Sequence, residues 1–228
     1  MLIVFANSKG GVGKTTLAVH MAIWLHDLGY RVALLDVDKQ HLSSRWVRLV
    51  EPDVTVRTAN NPKQIQRELV ALEAEHDFVI GDGPGGTEPV SVALLLKADL
   101  ALLPIMAAPL DLWSVATTAR ELVEEIQKVR KQGLVLRLII NGVDNRTTIS
   151  KQIKDATAAI GLPTAKAEVR RLTALTDAPT HNTVVTRKWI KGYSARKDLN
   201  RLFRELLEPS FADVTKRNTT PLKKAANE

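Results

Sequence analysis

A glycine-rich stretch, residues 9–16, is the feature of this sequence that most constrains its fold. It follows an apolar run at 2–6 and precedes residues 17–28, whose apolar side chains recur at helical spacing. Strand, glycine-rich loop and helix in this order predict a loop whose backbone N–H groups surround phosphate oxygens. The N-terminus of the following helix adds a partial positive charge. The sequence therefore predicts a phosphate-binding loop.

The residue types of this loop match the needs of nucleotide binding. Its glycines allow the backbone to approach phosphates without Cβ clashes. Lys14 is expected to reach the β- and γ-phosphates of ATP, and the Thr15 hydroxyl to ligate Mg²⁺. A glycine-rich turn without a ligand is the alternative. The predicted nucleotide-binding residues are Lys9, Gly10, Gly11, Val12, Gly13, Lys14, Thr15 and Thr16.

The beginning of the loop departs from the usual phosphate-loop pattern. Ser8 stands where that pattern has its first glycine, and a second lysine, Lys9, follows it. Because Lys14 suffices for the nucleotide of its own subunit, Lys9 is predicted to point outward, toward a phosphate held by another subunit. A solvated surface lysine is the alternative.

The glycine-rich loop and several later stretches connect this chain with a known family. Residues 9–16 resemble the deviant Walker A motif of the ParA/MinD ATPase superfamily, and residues 36–40 resemble its Asp-x-Asp-Pro-Gln stretch. Residues 78–84 resemble its Walker B strand and the switch loop that follows. Ser43, Trp46 and the turn at 109–111 are similar to the short ParA proteins of plasmid partition systems. The resemblance covers residues 1 to about 207.

Two departures from the family pattern lie in the Asp-x-Asp-Pro-Gln stretch and in the switch loop. Lys39 stands where the family usually has proline, which changes the stiffness of that turn. Residues 83–86, Gly-Pro-Gly-Gly, make the switch loop rich in glycine and therefore more adaptable.

The resemblance implies roles for residues that end predicted strands. Asp82 would hold Mg²⁺ through water, and Asp36 would touch the Mg²⁺ shell, with a hydrogen bond to the phosphate loop as the alternative role of Asp36. Asp38 resembles the aspartate that positions the attacking water. Asn141 resembles an asparagine near the adenine edge, with an ordinary turn residue as the alternative. The predicted catalytic residues are Lys9, Lys14 and Asp38.

Apolar runs alternate with amphipathic stretches along the chain. The pattern predicts strands at 2–7, 31–36, 54–58, 77–82, 99–104 and 134–140. It predicts helices at 15–28, 42–50, 62–75, 88–97, 111–132, 149–160 and 194–207. We therefore expect an α/β P-loop NTPase fold, a mostly parallel twisted sheet with helices on both faces. Residues 1–209 would form one domain, and the basic polar tail at 210–228 would be disordered.

Composition excludes several classes of protein. The absence of cysteine excludes disulfides and cysteine-ligated metal centres. No apolar run approaches the roughly 20 residues of a membrane span. The chain starts directly with a strand-like run, so we expect neither a leader peptide nor an N-terminal DNA-binding domain. These features predict a cytoplasmic protein.

Basic residues are concentrated toward the C-terminus. Residues 151–228 hold 16 lysines and arginines against 8 acidic residues, whereas residues 1–150 hold 16 against 17. This asymmetry indicates a polyanionic partner, with a solvated basic face as the alternative. The family resemblance implies nonspecific binding to double-stranded DNA, and hence association with the nucleoid. The predicted DNA contacts are Lys188, Lys191, Arg196, Lys197, Arg201 and Arg204.

The resemblance implies a Mg²⁺-dependent ATPase with slow intrinsic turnover. ATP would close a homodimer that binds DNA, and a ParB-like centromere-binding or adaptor protein would trigger hydrolysis and release, which segregates plasmid or chromosome DNA. A relative that positions a protein cargo, such as a carboxysome or chemotaxis cluster, is the alternative.

Two other classes fit less well. A MinD-like membrane switch would need an apolar C-terminal helix face, but residues 216–228 offer only Leu222 as a large aliphatic. No membrane partner is therefore expected. A metabolic ligase or kinase would need a substrate pocket, which the sequence does not identify.

Overall fold

The computed structural model describes residues 1–7, 9–85, 88–107, 134–144 and 161–217, with the single positions 124, 126, 128 and 157. Its strands are β1 (Leu2–Asn7), β2 (Val32–Asp36), β3 (Thr55–Thr58), β4 (Phe78–Gly85), β5 (Leu100–Met106), β6 (Val135–Val143) and β7 (Val169–Arg170). They form one sheet in the order β3-β2-β4-β1-β5-β6-β7, and every pairing is parallel. All the carboxyl ends therefore meet at one edge.

The described helices lie between these strands or after the last of them. They are α1 (Lys14–Asp27), α2 (Leu42–Val50), α3 (Pro62–Glu75), α4 (Pro89–Leu95), α5 (Thr173–Asp177) and α6 (Tyr193–Arg217), with a short 3-10 helix at Ile190–Gly192. The predicted α/β class with a parallel sheet is confirmed. Along the described residues, no helix combines the length and apolarity that a bilayer span requires.

The sheet buries a separate apolar core on each face. In β1, Ile3 and Phe5 pack with α1, α2 and α6, whereas Leu2 and Val4 pack with α3 and α4 on the other side. This division follows from the two-residue period of a strand. Continuous apolar strands thus give helices on both faces, as the sequence predicts.

Several element boundaries differ from the prediction, and β6 ends at Val143 instead of residue 140, so that Asn141 lies within the strand and not after it. The two-residue β7 and the five-residue α5 were not predicted, because such short elements show no periodicity. β4 continues to Gly85 instead of residue 82, since Gly85 pairs with Asn7 across a register shift. α6 continues to Arg217 instead of residue 207, so it includes the first residues of the segment predicted to be disordered.

Several predicted features lie outside the described residues. They are Ser8, the turn at 109–111, most of the predicted helices 111–132 and 149–160, and residues 218–228. The single positions described within the two helices, 124, 126, 128 and 157, are helical.

Candidate active site

The glycine-rich loop joins the carboxyl end of β1 to α1, at the point where β1 lies between β4 and β5. Gly11 and Gly13 have φ angles of 75° and 94°, in the left-handed region. Glycine adopts this conformation without the steric cost of a Cβ. A Cβ on Gly13 would also overlap the amide nitrogen of Asn141. Both conformation and contact therefore require glycine at this position.

Two asparagines hold the loop at its ends. The Asn7 amide, which is 5% exposed, donates to Pro104 O at 2.6 Å, and its Oδ1 accepts the N–H of Lys9 at 2.9 Å. Asn141 Nδ2 donates to Val12 O at 2.8 Å, and its Oδ1 accepts the N–H of Gly142. The structure thus places Asn141 against the loop backbone. Sequence reasoning missed the role of Asn7. The one feature that could have indicated it is that Asn7 is a polar residue at the end of a buried strand.

Lys14 lies buried at the start of α1. Its Nζ donates to Lys9 O at 3.0 Å, so the ammonium group folds back over the loop. Burial lowers the pKa of Lys14, while the charges of Asp82 and Asp38 act in the opposite direction. The structure therefore brings Lys14 close to three other predicted site residues, Lys9, Asp82 and Asp38. Lys9 itself is exposed at the outer side of the loop, as its predicted role requires.

Thr15 and Asp82 form the part of the site that could hold a metal ion. Thr15 Oγ1 donates to Asp82 Oδ2 at 2.9 Å. The other oxygen, Asp82 Oδ1, is buried and makes no hydrogen bond of good geometry among the described residues, although the Ser43 hydroxyl is near enough to the carboxyl group to lower its pKa. Burial, together with the charges of Asp36 and Asp38, raises the pKa of Asp82 to about 7. A buried carboxylate with an open oxygen, beside a hydroxyl, has the oxygen chemistry that Mg²⁺ prefers.

Asp36 is fully buried and lies opposite Asp82 in the β2–β4 register. Its Oδ1 accepts the N–H of Asp38 at 3.0 Å, and its Oδ2 accepts the N–H of Ser44 at 2.9 Å. The carboxylate therefore fixes the loop between β2 and α2, and within the described part of the chain it makes no hydrogen bond to the glycine-rich loop. Contact of Asp36 with the Mg²⁺ shell stays a prediction.

Asp38 lies half-buried on the loop that Asp36 organises. Its Oδ1 accepts the N–H of Gln40 at 2.8 Å, which tightens the turn. Lys39, at the position where the family usually has proline, forms an ion pair of 3.3 Å with Glu88 just before α4. The loop after β2 is thereby joined to the end of the switch loop after β4.

The predicted DNA contacts lie just before α6 and in its first half. Lys188, Lys191, Lys197, Arg201 and Arg204 are exposed, whereas the half-buried Arg196 lies 5.6 Å over the ring of Tyr193. On α6, positions 197, 201 and 204 have the four- and three-residue spacing of a single face. We call these six residues the basic surface.

Two other arginines of the C-terminal region are engaged within the molecule. Arg187 donates to Asp27 at 2.7 Å and to Glu51 at 2.6 Å, and Arg170 forms an ion pair of 2.8 Å with Asp198. Their charge is compensated by these carboxylates. Both arginines therefore attract a polyanion less than the exposed residues of the basic surface do.

Sequence reasoning also missed His20, which lies fully buried in α1. Nδ1 lies 2.6 Å from Thr16 O, and Nε2 accepts the N–H of Val185 at 3.1 Å. Because Nε2 accepts, Nδ1 carries the hydrogen and the ring is neutral. Burial lowers the pKa of His20 from 6.5 to about 4.

This histidine is expected to make stability depend on pH. The unfolded chain protonates His20 near pH 6.5, but the folded chain does so only near pH 4. The stabilisation is therefore complete above pH 6.5 and is lost as the pH falls toward 4, by on the order of 3 kcal/mol. Urea unfolding of wild type and His20→Leu between pH 4 and 7.5 measures this contribution of His20 to the free energy of unfolding. The difference in unfolding free energy between the two proteins should shrink at low pH, and a constant difference would contradict the assignment.

The left-handed glycines, the engaged lysine and the buried aspartate with its open oxygen together define a P-loop nucleotide-binding domain. Residues 3–185 match the family model described as the CobQ/CobB/MinD/ParA nucleotide binding domain. The chain belongs to this family and is an ATPase of its ParA/MinD type.

Individual relatives agree with this assignment. The chain is 28% identical over 212 residues to the maintenance of carboxysome distribution protein A of Halothiobacillus neapolitanus, with 90% of this chain and 95% of the relative covered. It is 28% identical over 184 residues to the chromosome-partitioning ATPase Soj of Thermus thermophilus, covering 67% and 73%. The fold matches MinD of Pyrococcus horikoshii complexed with Mg-ADP, with a TM-score of 0.69, 18% identity and coverage of 93% and 97%.

Proposed function

We propose that this chain is a ParA-type positioning ATPase that uses DNA as its track. With ATP and Mg²⁺ it forms a homodimer, the dimer binds double-stranded DNA without sequence preference, and hydrolysis releases it. The observation that carries this proposal is the exposed basic surface in a chain that also has a P-loop site. Dimerisation doubles the number of basic residues, and each additional phosphate contact increases the affinity for DNA. The protein would then be cytoplasmic and associated with the nucleoid.

Each residue of the site has a role in this cycle. The backbone from Gly10 to Thr16 surrounds the phosphates, and Lys14 neutralises their β- and γ-oxygens. Thr15 and Asp82 hold Mg²⁺, with Asp36 beside its shell. Asp38 orients the water that attacks the γ-phosphate. Asn141 fixes the loop, and we place it toward the nucleotide base as the family resemblance implies.

A protein cargo is better supported than a plasmid. The carboxysome-distribution relative matches over 90% of this chain, more than the 67% matched by the chromosome-partitioning relative. We therefore propose an adaptor protein on a protein cargo as the partner, with a ParB-like centromere-binding protein as the second candidate. Deletion of the gene followed by imaging of labelled protein assemblies and labelled plasmids separates the two. Loss of spacing in one of them identifies the cargo.

Lys9→Ala is expected to abolish ATP-dependent dimerisation while the monomer still binds nucleotide. The reason is that the exposed Lys9 side chain would meet the phosphate of the other subunit, whereas its backbone N–H and C=O keep their contacts with Asn7 and Lys14. Light scattering with a nonhydrolysable ATP analogue measures dimerisation. Normal dimers with normal hydrolysis would refute the role between subunits.

DNA binding is tested by the double substitution Arg201→Ala and Arg204→Ala. Wild type should bind random duplexes with ATP and not with ADP, and its affinity should fall steeply with salt. Each phosphate contact contributes a log–log salt slope of about −0.9. In the dimer the double variant removes four arginines, so the salt slope should become less steep by up to about 3.6 units, or about 0.9 for each lost contact, without loss of dimerisation. A matched control, Lys63→Ala with Lys97→Ala, removes two exposed cations from α3 and from the end of α4, on the opposite face of the sheet, and should not change the slope.

A deletion and a liposome experiment test the location of the DNA contacts and the proposed function itself. Deletion of residues 218–228 leaves all of α6 in place and should preserve most of the binding. If this deletion abolishes binding and the double variant retains it, the basic surface is not the contact. If wild type with ATP binds liposomes but no DNA at low salt, the proposed function is wrong and a membrane switch replaces it.

A further inference from the structure

The segment before the basic surface, residues 183–187, is fastened to α1 and α2 by three alternate residues. The Trp46 Nε1–H donates to Thr183 O at 3.0 Å. The N–H of Val185 donates to His20 Nε2 at 3.1 Å. Arg187 completes the set through its ion pairs with the ends of the same two helices. We call residues 183–187 the clamped segment.

Both helices that hold the clamped segment begin at the nucleotide site. α1 starts with Lys14 and Thr15, and the Thr16 carbonyl accepts the Nδ1–H of His20. A continuous line of hydrogen bonds therefore runs from the last residue of the phosphate loop through one imidazole ring to Val185. α2 follows the loop of Asp36 and Asp38, and its Ser44 N–H donates to Asp36.

The residues that make these contacts are polar groups inside an apolar core. His20 is 0% and Trp46 is 7% exposed, and their rings pack edge to face with centroids 5.2 Å apart. Burying an imidazole costs free energy unless both of its nitrogens are hydrogen-bonded. Both bonds of His20 form only when α1 and the clamped segment keep one relative position. Movement of α1 on nucleotide binding must then be followed by the segment or break the bond.

The clamped segment leads directly into the basic surface. Lys188 and Lys191 come after it, and α6 follows at Tyr193. We propose that His20 and Trp46 are positioning residues that transmit the state of the nucleotide site to the basic surface by fixing the clamped segment against α1 and α2. The DNA-binding consequence rests on the proposed function, whereas the coupling of nucleotide to the clamped segment does not.

Hydrogen exchange tests the coupling without DNA. Backbone amides of residues 183–187 are followed in wild type and His20→Leu, with and without the nonhydrolysable ATP analogue and Mg²⁺. In wild type, nucleotide should slow exchange of the Val185 amide. In His20→Leu that amide should exchange at least about fivefold faster and no longer respond, while affinity for the analogue stays within about twofold.

His76 supplies a matched control. Its Nδ1 lies 2.9 Å from Leu72 O four residues earlier, and its Nε2 lies 2.9 Å from Thr55 Oγ1. The ring thus lies near the carbonyl four residues earlier, as His20 does, but it is half-buried and stands at the end of α3, which packs on the other face of the sheet from Val185. His76→Leu should leave the nucleotide response of Val185 as in wild type. An equal loss in both leucine variants would show general destabilisation and overturn the proposal.

Trp46→Phe keeps an aromatic ring in the core but removes the donor to Thr183 together with part of the indole, so it tests the same coupling if His20→Leu does not fold. It should reduce the nucleotide response of the segment. ATP should increase the DNA affinity of wild type, and this increase should be smaller by about fivefold or more in His20→Leu and Trp46→Phe. The salt slope of DNA binding should not change in either variant, because the basic surface is intact.

Two outcomes separate this proposal from the proposed function. A folded variant whose Val185 amide still responds to nucleotide as in wild type overturns the coupling, whatever its DNA binding. Wild type that shows the exchange response but binds no DNA with ATP refutes the proposed function and leaves the coupling in place.

Discussion

Lys14→Ala is expected to weaken ATP binding by on the order of 10²- to 10³-fold, and to abolish dimerisation and hydrolysis with it. The Lys14 ammonium is a buried cation of the site, held by Lys9 O and close enough to Asp82 and Asp38 to feel their charges. Without it the triphosphate would face those carboxylates uncompensated, and removing one member of a buried charge pair typically costs about 3–5 kcal/mol. Titration with a fluorescent ATP analogue gives the dissociation constant directly.

The loss must be separated from misfolding. Thermal unfolding without nucleotide should show a folded Lys14→Ala domain. Lys63→Ala removes an exposed lysine from α3 and should bind ATP as wild type does. If Lys14→Ala binds the analogue as tightly as wild type, the assignment of residues 9–16 as the phosphate loop is wrong.

Asp38→Ala is expected to reduce ATP hydrolysis by about 10²- to 10⁴-fold while the protein still binds Mg-ATP and dimerises. The side chain is half-buried on the loop after β2, and its proposed role is to orient the water that attacks the γ-phosphate. A dimer that cannot hydrolyse ATP should accumulate on DNA. Single-turnover hydrolysis and sedimentation with DNA measure the two effects.

Asp38→Asn distinguishes the charge of Asp38 from its structural role. The amide oxygen that replaces the carboxylate in this variant could still accept the N–H of Gln40, so the turn would be preserved. Equal loss of activity in Asp38→Asn and Asp38→Ala would show that the carboxylate charge matters in hydrolysis. Activity retained in Asp38→Asn would assign Asp38 to the shape of the turn, and near-normal turnover in both variants would move the role to Asp36 or another residue.

The sequence determined the fold class and the phosphate loop because both depend on residues that are close in the chain. Apolar runs alternating with amphipathic helices specify a covered parallel sheet wherever they occur. The loop needs left-handed glycines at positions 11 and 13, a lysine and a hydroxyl within a few residues. The sequence also placed Asp36 and Asp82 at carboxyl ends of strands, and the structure pairs them in register.

Only the tertiary structure decided which polar groups meet across long separations. Asn7 reaches Pro104, Asn141 reaches Val12, and His20 reaches Val185, over 97, 129 and 165 residues. The same holds for charge, because Arg187 is neutralised by Asp27 from α1 whereas the adjacent Lys188 remains exposed. In the composition, Arg187 and Lys188 each count as one positive charge. A hydrogen bond or an ion pair depends on the distance between two groups, and folding sets that distance for residues that are remote in the chain.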